Sequence, residues 1–431
     1  MGEINNIPGP RVATASAAPL TCLEKIILKN SPIIETWFKE KWQETPPPFT
    51  SSVDLRYCGV KIAPVDTNLF PAGFNNLNHE FLPLCVQAVQ AVLATEKLES
   101  NKILLLPESH TRNHFYIENL KVLRDIFIQA GFIVRLGSLD PLLTENIKFI
   151  TDSGEVLLIE VLERQQDQLG LIDFTPSLIL LNNDLSTGIP LILQGIKQKI
   201  IPTPQLGWWH RCKSSHFYFY NIVALEFAKL IDLDSWLINA DFRTVDNINF
   251  MLGEGFASIV RATDAVLLGI KDKYTFYNIS EKPFVVIKAD NGTYGMSVMS
   301  IQHSTELLKL NRKKRTRMAA TKGGHKVKQV LVQEGVYTFE TMLGDAVAEL
   351  VVYLIGQFVV GGFYRFHQDK GRNESLNTPG MHFAPLAFAP PYDQAAKTSN
   401  SNMGGRFYVY GVIARLAALA AAMEMAAVRN C

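Results

Sequence analysis

The sequence predicts an α/β protein whose first half carries a mainly parallel sheet and whose last third is β-rich. Between residues 102 and 181 short apolar strands alternate with helical stretches, a pattern that builds parallel sheets with helices on their faces. From Pro283 onward, β-branched and aromatic runs follow one another closely. The length, 431 residues, is too great for one small core and points to two or three domains.

Taken in order, residues 1–20 are rich in Pro, Ala and Ser and are expected to be disordered. Residues 21–205 form the expected α/β substrate domain. Leu20 to Trp42 has helical spacing and is ended by Pro46-Pro47-Pro48. Lys102 to Leu106 is a strand ended by Pro107, Phe115 to Ala130 a helix, and Phe132 to Leu136 and Ser177 to Leu181 further strands. Ligands favour the carboxyl ends of such strands, which here carry Glu108 to Asn113 and Asn182 to Asp184.

Residues 206–280 are expected to be a mainly helical connection. Phe217 to Ile231 is its clearest helix, with Ser214 or Ser215 as N-cap after Arg211 and Lys213. Residues 281–431 are expected to form a second domain. Its strands are Phe284–Ile287, Val298–Ile301, Val330–Gln333, Val347–Leu354 and Phe358–Phe366, the last two joined by a hairpin at Gly356-Gln357. Ala414 to Val428 is a final helix of high intrinsic propensity.

Composition excludes several roles. A net charge of +1 argues against a nucleic-acid partner, which demands a concentrated basic face. The one basic run, Asn311 to Arg317, is either a solvated helix face or a loop that attracts an anionic substrate. Five cysteines, scattered and without a CxxC pair, suit free thiols in a reducing cytoplasm and neither a disulfide framework nor a zinc site. The N-terminus has no signal-peptide pattern. Ala346 to Tyr364 and Val409 to Val428 are apolar but interrupted by charges, so no membrane role is expected.

The segment most suggestive of chemistry is Lys282 to Ser300. A buried strand delivers Lys288 directly before a loop containing Asn291, Gly292, Thr293, Tyr294 and Gly295. Glycines let backbone N–H groups approach phosphate oxygens, and an ammonium adds a point charge. An ordinary hairpin with a surface lysine is the alternative. Further on come a strand ending in Gln333-Glu334-Gly335-Val336, Arg365 after Gly361-Gly362, and Asn377 in a turn.

This order of strand lysine, glycine loop, second strand, hairpin arginine and asparagine turn resembles the ATP-grasp half of glutathione synthetase and related carboxylate–amine ligases. Longer segments resemble the bacterial glutamate–cysteine ligase family: Glu44-Thr-Pro-Pro-Pro-Phe49, Ala63 to Leu77, Leu181-Asn-Asn-Asp-Leu185, Lys288 to Met296, Gln333 to Glu340 and Gly380 to Leu386. The resemblance implies an ATP-grasp-like second domain. It also implies ATP-dependent joining of the glutamate γ-carboxylate to cysteine, with Mg²⁺ or Mn²⁺.

On that resemblance Lys288 and Arg365 are catalytic, and Lys213, Lys288 and Asn291 to Gly295 hold phosphates. Gln333, Glu334 and Val336 form the edge against which adenine lies. Asp345, Glu349 and Asn377 are the candidate metal ligands. A departure is the lack of a late Glu-x-Asn pair after residue 385. Zwitterionic substrates require both signs of charge. Arg56, Asp66, Asn68, Asn75 and Asn76, with His110, Arg112 and Asn113, are the candidates for that site. Two alternatives stay open here: a glutathione synthetase-like ligase, and a two-domain nucleotide-sugar transferase.

Overall fold

A computed structural model describes residues 12–16, 18–108, 113–292, 295–321, 324, 326–342, 344–388 and 401–429. The apolar runs at 103–106 and 178–181 are buried on both faces, as parallel strands require. They sit in a six-stranded sheet ordered Lys199–Ile201 (β11), Leu178–Leu181 (β10), Lys102–Leu106 (β4), Ile133–Ser138 (β5), Val156–Val161 (β7) and Ile147–Ile150 (β6). Neighbours are parallel except β6, which runs against β7. Ile103 and Leu105 face the helices Leu82–Leu93 (α3) and His114–Gln129 (α4), whereas Leu104 and Leu106 face a separate cluster around Phe174 and Leu193. A small hairpin, Glu163–Gln165 (β8) and Gln168–Gly170 (β9), stands apart.

A second sheet is antiparallel, ordered Phe242–Val245 (β12), Val330–Glu334 (β15), Val285–Ala289 (β13) and Val298–Ile301 (β14). Val285 and Ile287 pack with Ile259, Val266 and Ile270 of helix Phe256–Phe276 (α6).

The third sheet joins segments far apart in the chain. Its order is His382–Pro385 (β19), Phe358–His367 (β18), Ala346–Ile355 (β17), Thr50–Tyr57 (β2) and Ile62–Asn68 (β3), with Thr341–Met342 (β16) also paired to β17. Segments 50–68 and 341–385, expected to belong to the first and last domains, therefore share one sheet. Period-2 alternation gives it two unlike faces. Leu55, Leu350, Val352 and Tyr364 face helices Lys213–Leu230 (α5) and Ser401–Arg429 (α8). On the opposite face Val351, Tyr353 and Phe363 pack against α3 and α4. One step along the same face, Glu349 and Arg365 replace apolar residues, and a cavity begins there.

Several boundaries differ from expectation. Leu20 to Trp42 is two helices, Cys22–Lys29 (α1) and Ser31–Glu44 (α2), broken where Pro32 cannot donate to the preceding turn. Part of the N-terminal segment is held: Val12–Ala13 (β1) pairs with Ala387–Phe388 (β20), and Arg406 donates to the Ser16 and Ala18 carbonyls. The final helix starts at Ser401, not Ala414.

Gly405 to Val428 of that helix is long and apolar enough to cross a membrane by length and composition alone. Here it packs inside the protein, its charges partnered by Glu24, Glu35 and Arg211. The basic run becomes the exposed helix Arg312–Ala319 (α7). Cys22, Cys58, Cys85 and Cys212 are free thiols.

Candidate active site

The alternation of β13 turns Val286 and Lys288 toward the cavity while Val285 and Ile287 enter the core. The chain then turns at Asp290, which ties two elements together. Its backbone carbonyl accepts the Lys213 N–H (2.8 Å), and its carboxylate accepts the Ser214 N–H (2.7 Å) and hydroxyl (2.6 Å). Helix α5 is thus capped by a residue of the neighbouring strand rather than by Ser214 or Ser215, because Cys212 occupies the N-cap position and offers no cap. Lys213 and Lys288 are brought to one cavity in consequence.

The third sheet supplies the floor. Glu349 and Arg365 are direct cross-strand partners, and Asp54 and Asp66 are another pair on β2 and β3. Arg365 Nη1 donates to Asp54 (2.8 Å) and Glu349 (2.7 Å), and Arg56 Nε donates to the other Glu349 oxygen (2.9 Å). Lys213 Nζ lies 2.5 Å from Asp66 and 4.6 Å from the centre of the Trp208 ring. Lys288 Nζ donates to the Val65 carbonyl (2.7 Å), 5.1 Å from the centre of the Phe217 ring. Four basic side chains (Arg56, Lys213, Lys288, Arg365) and five acidic ones (Asp54, Asp66, Glu334, Glu349, Glu374) thus converge on a cavity of about 90 Å³.

Burial and neighbouring charge set the protonation. Burial, helped by the Lys213 charge, pushes the Lys288 ammonium down to about 7. Burial alone would raise Asp66, but Lys213 and Lys288 outweigh it and hold the carboxyl at about 2. Burial likewise opposes the Glu349 charge, and Arg56 and Arg365 prevail, keeping its carboxyl low. For Asp54 burial prevails over Arg365 and moves the carboxyl up.

Arg56, Asp66, Lys213, Lys288, Gly292, Gly295, Gln333, Glu334, Val336, Glu349, Arg365 and Asn377 all line this cavity. Gly295 adopts φ +64°, and a Cβ there would collide with the Asn377 carbonyl, so the glycine loop and the asparagine turn touch only because residue 295 is glycine. Asn291 sits beside Gly292 in the same turn.

Other candidates lie elsewhere. Asp345 is in an exposed turn ahead of β17 and does not line the cavity. Asn68 ends β3, and Asn75 and Asn76 belong to a short 3₁₀ turn packed near α4. Asn113 caps α4, accepting the Phe115 N–H, so its side chain is already used structurally. His110, Arg112, Thr293 and Tyr294 lie outside the described residues.

Two roles change. β15 is an interior strand, paired at Gln333 with both Phe242 and Val286, so its backbone is no free edge for a base. The Glu334 carboxylate is held by Lys61 (2.6 Å) and the Trp236 indole N–H (3.0 Å) in full burial. Both Glu349 oxygens accept from guanidinium groups, which occupies a proposed metal ligand in this state. Asp54 is expected from sequence only as a charge beside Arg56 for the zwitterionic substrates, and Asp290 is not expected at all. The first was legible as alternation, since Val53, Leu55 and Tyr57 interleave with Ser52, Asp54 and Arg56. The second carried no sequence signal, because its partner is 76 residues away.

Comparison with known proteins gives a consistent answer. No curated protein matches the chain. A crystal structure from Methylobacillus flagellatus KT, provisionally named a gamma-glutamylcysteine synthetase, is 48% identical. It superposes with a TM-score of 0.87 over 97% of this chain and 99% of that one. A glutathione synthetase-like effector from Globodera pallida (10% identity, TM-score 0.36, covering 85% of this chain and 80% of that one) overlaps too slightly to bear on the fold. The same holds for D-alanyl-alanine synthetase A from Vibrio cholerae (10% identity, TM-score 0.33, 74% and 81%). The family model for glutamate-cysteine ligase matches residues 24–425, nearly the whole length, and the chain therefore belongs to the glutamate–cysteine ligase family.

Proposed function

We propose that the charged cavity between the second and third sheets is where this ligase makes γ-glutamylcysteine from ATP, glutamate and cysteine. The observation that carries the reading is the convergence of Arg56, Lys213, Lys288 and Arg365 on one buried cavity. A carboxylate does not react with an amine at neutral pH because oxide is a poor leaving group. Attack of a γ-carboxylate oxygen on the terminal phosphorus of ATP releases ADP and leaves an acyl phosphate. The cysteine ammonium loses one proton to solvent, the neutral nitrogen attacks the acyl carbon, phosphate departs, and the nitrogen gives up a second proton as the amide forms. Negative charge moves between oxygens in both steps, so positioned cations supply the catalysis.

In this reading Lys288 and Lys213 grip the triphosphate from one wall while Arg365 and Arg56 meet the transferring phosphoryl group and a substrate carboxylate from the floor. The cavity, about 90 Å³, is well below the roughly 300–1,000 Å³ of ligand-filled pockets. Its cations presently hold Asp54, Asp66 and Glu349, so substrate entry exchanges these internal partners for phosphate and carboxylate oxygens.

The acids so released suit a divalent cation. Asp54, Asp66 and Glu349, with the Asn377 amide, are hard oxygen donors of the kind Mg²⁺ or Mn²⁺ takes. When bound, such an ion neutralises phosphate charge. The ATP-grasp-like character of the second domain and the glutamate and cysteine subsites belong to the same proposal.

Mass spectrometry of the product made by purified protein from ATP, glutamate and cysteine tests it. Formation of γ-glutamylcysteine is expected. ADP release with γ-glutamylcysteine plus glycine, and none with glutamate plus cysteine, would instead favour the glutathione synthetase-like alternative.

A further inference from the structure

A second cavity lies away from the charged one and shares no lining residue with it. Helices α2, α3 and α8 and the tip of the β17–β18 hairpin enclose about 700 Å³, within the roughly 300–1,000 Å³ of small-molecule sites. Phe358 in its lining and Arg365 in the catalytic cavity stand near opposite ends of β18, on the order of 20 Å apart at strand spacing. The space exists because the facing positions are small: Ala88 and Ala91 on α3, and Gly411 on α8. The hairpin tip closes one side. Gly356 has φ +56°, and a Cβ there would lie 2.5 Å from the Val92 side chain, so the tip presses directly on α3. The walls are aromatic. Phe38 and Trp42 stack on α2 with ring centres 6.0 Å apart, and Phe407 and Tyr408 face them from α8. Phe358 remains 39% exposed, apolar surface that a bound ligand would remove from water.

The charges in the lining select the ligand. They are Glu35, Lys39 and Arg415, two basic residues against one acid. Both Glu35 oxygens are occupied, accepting from Arg415 Nη1 (2.9 Å) and Nη2 (2.7 Å) and from the Tyr408 hydroxyl (2.8 Å). Burial opposes the Glu35 charge, and Arg415 and Tyr408 outweigh it, keeping the carboxyl low. The cations keep donors in reserve. Arg415 Nε is buried without a hydrogen-bond partner, in a guanidinium 4.3 Å from the centre of the Phe38 ring. Lys39, one turn along α2 from Glu35, is exposed and makes no ion pair among the described residues. An aromatic enclosure with one positive charge in excess complements a compact aromatic anion. We propose that this cavity is a second binding site, one that takes an aromatic carboxylate with its ring between the aromatic walls and its charge toward Lys39 and Arg415.

Calorimetry of the purified full chain with naphthylacetate tests the assignment, with naphthylacetamide as the uncharged molecule of the same shape. One naphthylacetate per chain is expected, with the amide at least ten-fold weaker, as loss of a charged hydrogen bond implies. Lys39→Glu, at an exposed position, should weaken the acid ten-fold or more and leave the amide within three-fold. Ala91→Trp fills the cavity and should abolish binding of both molecules while formation of γ-glutamylcysteine stays within two-fold of native. If the tryptophan variant fails to fold, the Lys39→Glu comparison decides. Absence of binding to the native protein, or equal affinity for acid and amide, would overturn the assignment. Binding of the acid that neither variant alters would place it in the catalytic cavity and overturn it too. So would a dimer in sedimentation that Ala91→Trp dissociates, since the enclosure would then be a contact between two copies.

Discussion

Replacing Lys288 by methionine should make the unliganded protein more stable and the enzyme far slower. The Lys288 ammonium is buried, and its pKa falls from 10.5 to about 7. At 1.36 kcal/mol per pH unit that is a burden on the order of 5 kcal/mol on the folded state. The unfolded chain holds the proton more tightly, so the burden is fully present below pH 7 and fades as pH rises towards 10.5. Methionine keeps the length of the side chain and removes the charge. Loss of the hydrogen bond to the Val65 carbonyl returns about 1 kcal/mol, and partial hydration of the cavity reduces the gain further. A net stabilisation of about 2 kcal/mol at pH 7, shrinking towards zero near pH 10, is the expected result of urea unfolding across that range. In the same variant, loss of one preorganised donor to the transferring phosphoryl group should cut kcat about 10²- to 10³-fold. A variant that is less stable than the native protein at pH 7, or that turns over normally at saturating ATP, refutes the reasoning.

Three further outcomes follow from the same geometry. Because Lys288 titrates near 7 when unliganded, a bound triphosphate should raise its pKa and draw in a proton. Calorimetry of ATP binding at pH 8 in buffers of different ionisation heat should show net uptake, absent in Lys288→Met. Asp290→Ala should cost about 1 kcal/mol through loss of the α5 cap and raise the KM for ATP more than it lowers kcat, since Lys213 and Lys288 lose their common tether; a pure stability loss with unaltered KM would deny that link. Arg406→Met should destabilise by about 3–5 kcal/mol in chemical denaturation, because it strands the fully buried Glu24 carboxylate.

The parts legible in the chain were those governed by local pattern. The strands at 102–106, 298–301 and 330–334, and the hairpin turning at Gly356, came from apolar runs and glycine placement. Lys288, Lys213, Arg365, Arg56 and Asp66 were singled out as residue types suited to phosphate and zwitterions, and they meet in one cavity. Among the asparagines, Asn377 lines the cavity, Asn113 caps a helix, and Asn75 and Asn76 lie in a 3₁₀ turn outside it; capping and turn-forming asparagines look the same in sequence as ligand-binding ones.

By itself the sequence determined the family, through long segments from Glu44 to Leu386, and the chemistry, through cations delivered at strand ends. Tertiary structure alone decided which charges meet. Strands at 50–68 and 346–367 pair in one sheet, and that non-local register sets Asp54 against Arg365 and Glu349 against Arg56. Hydrogen bonding between distant strands depends on the packing of both faces, which no local periodicity encodes. In the second sheet, pairing with β12 and β13 engaged the β15 backbone on both sides and left the Gln333 side chain on the cavity wall.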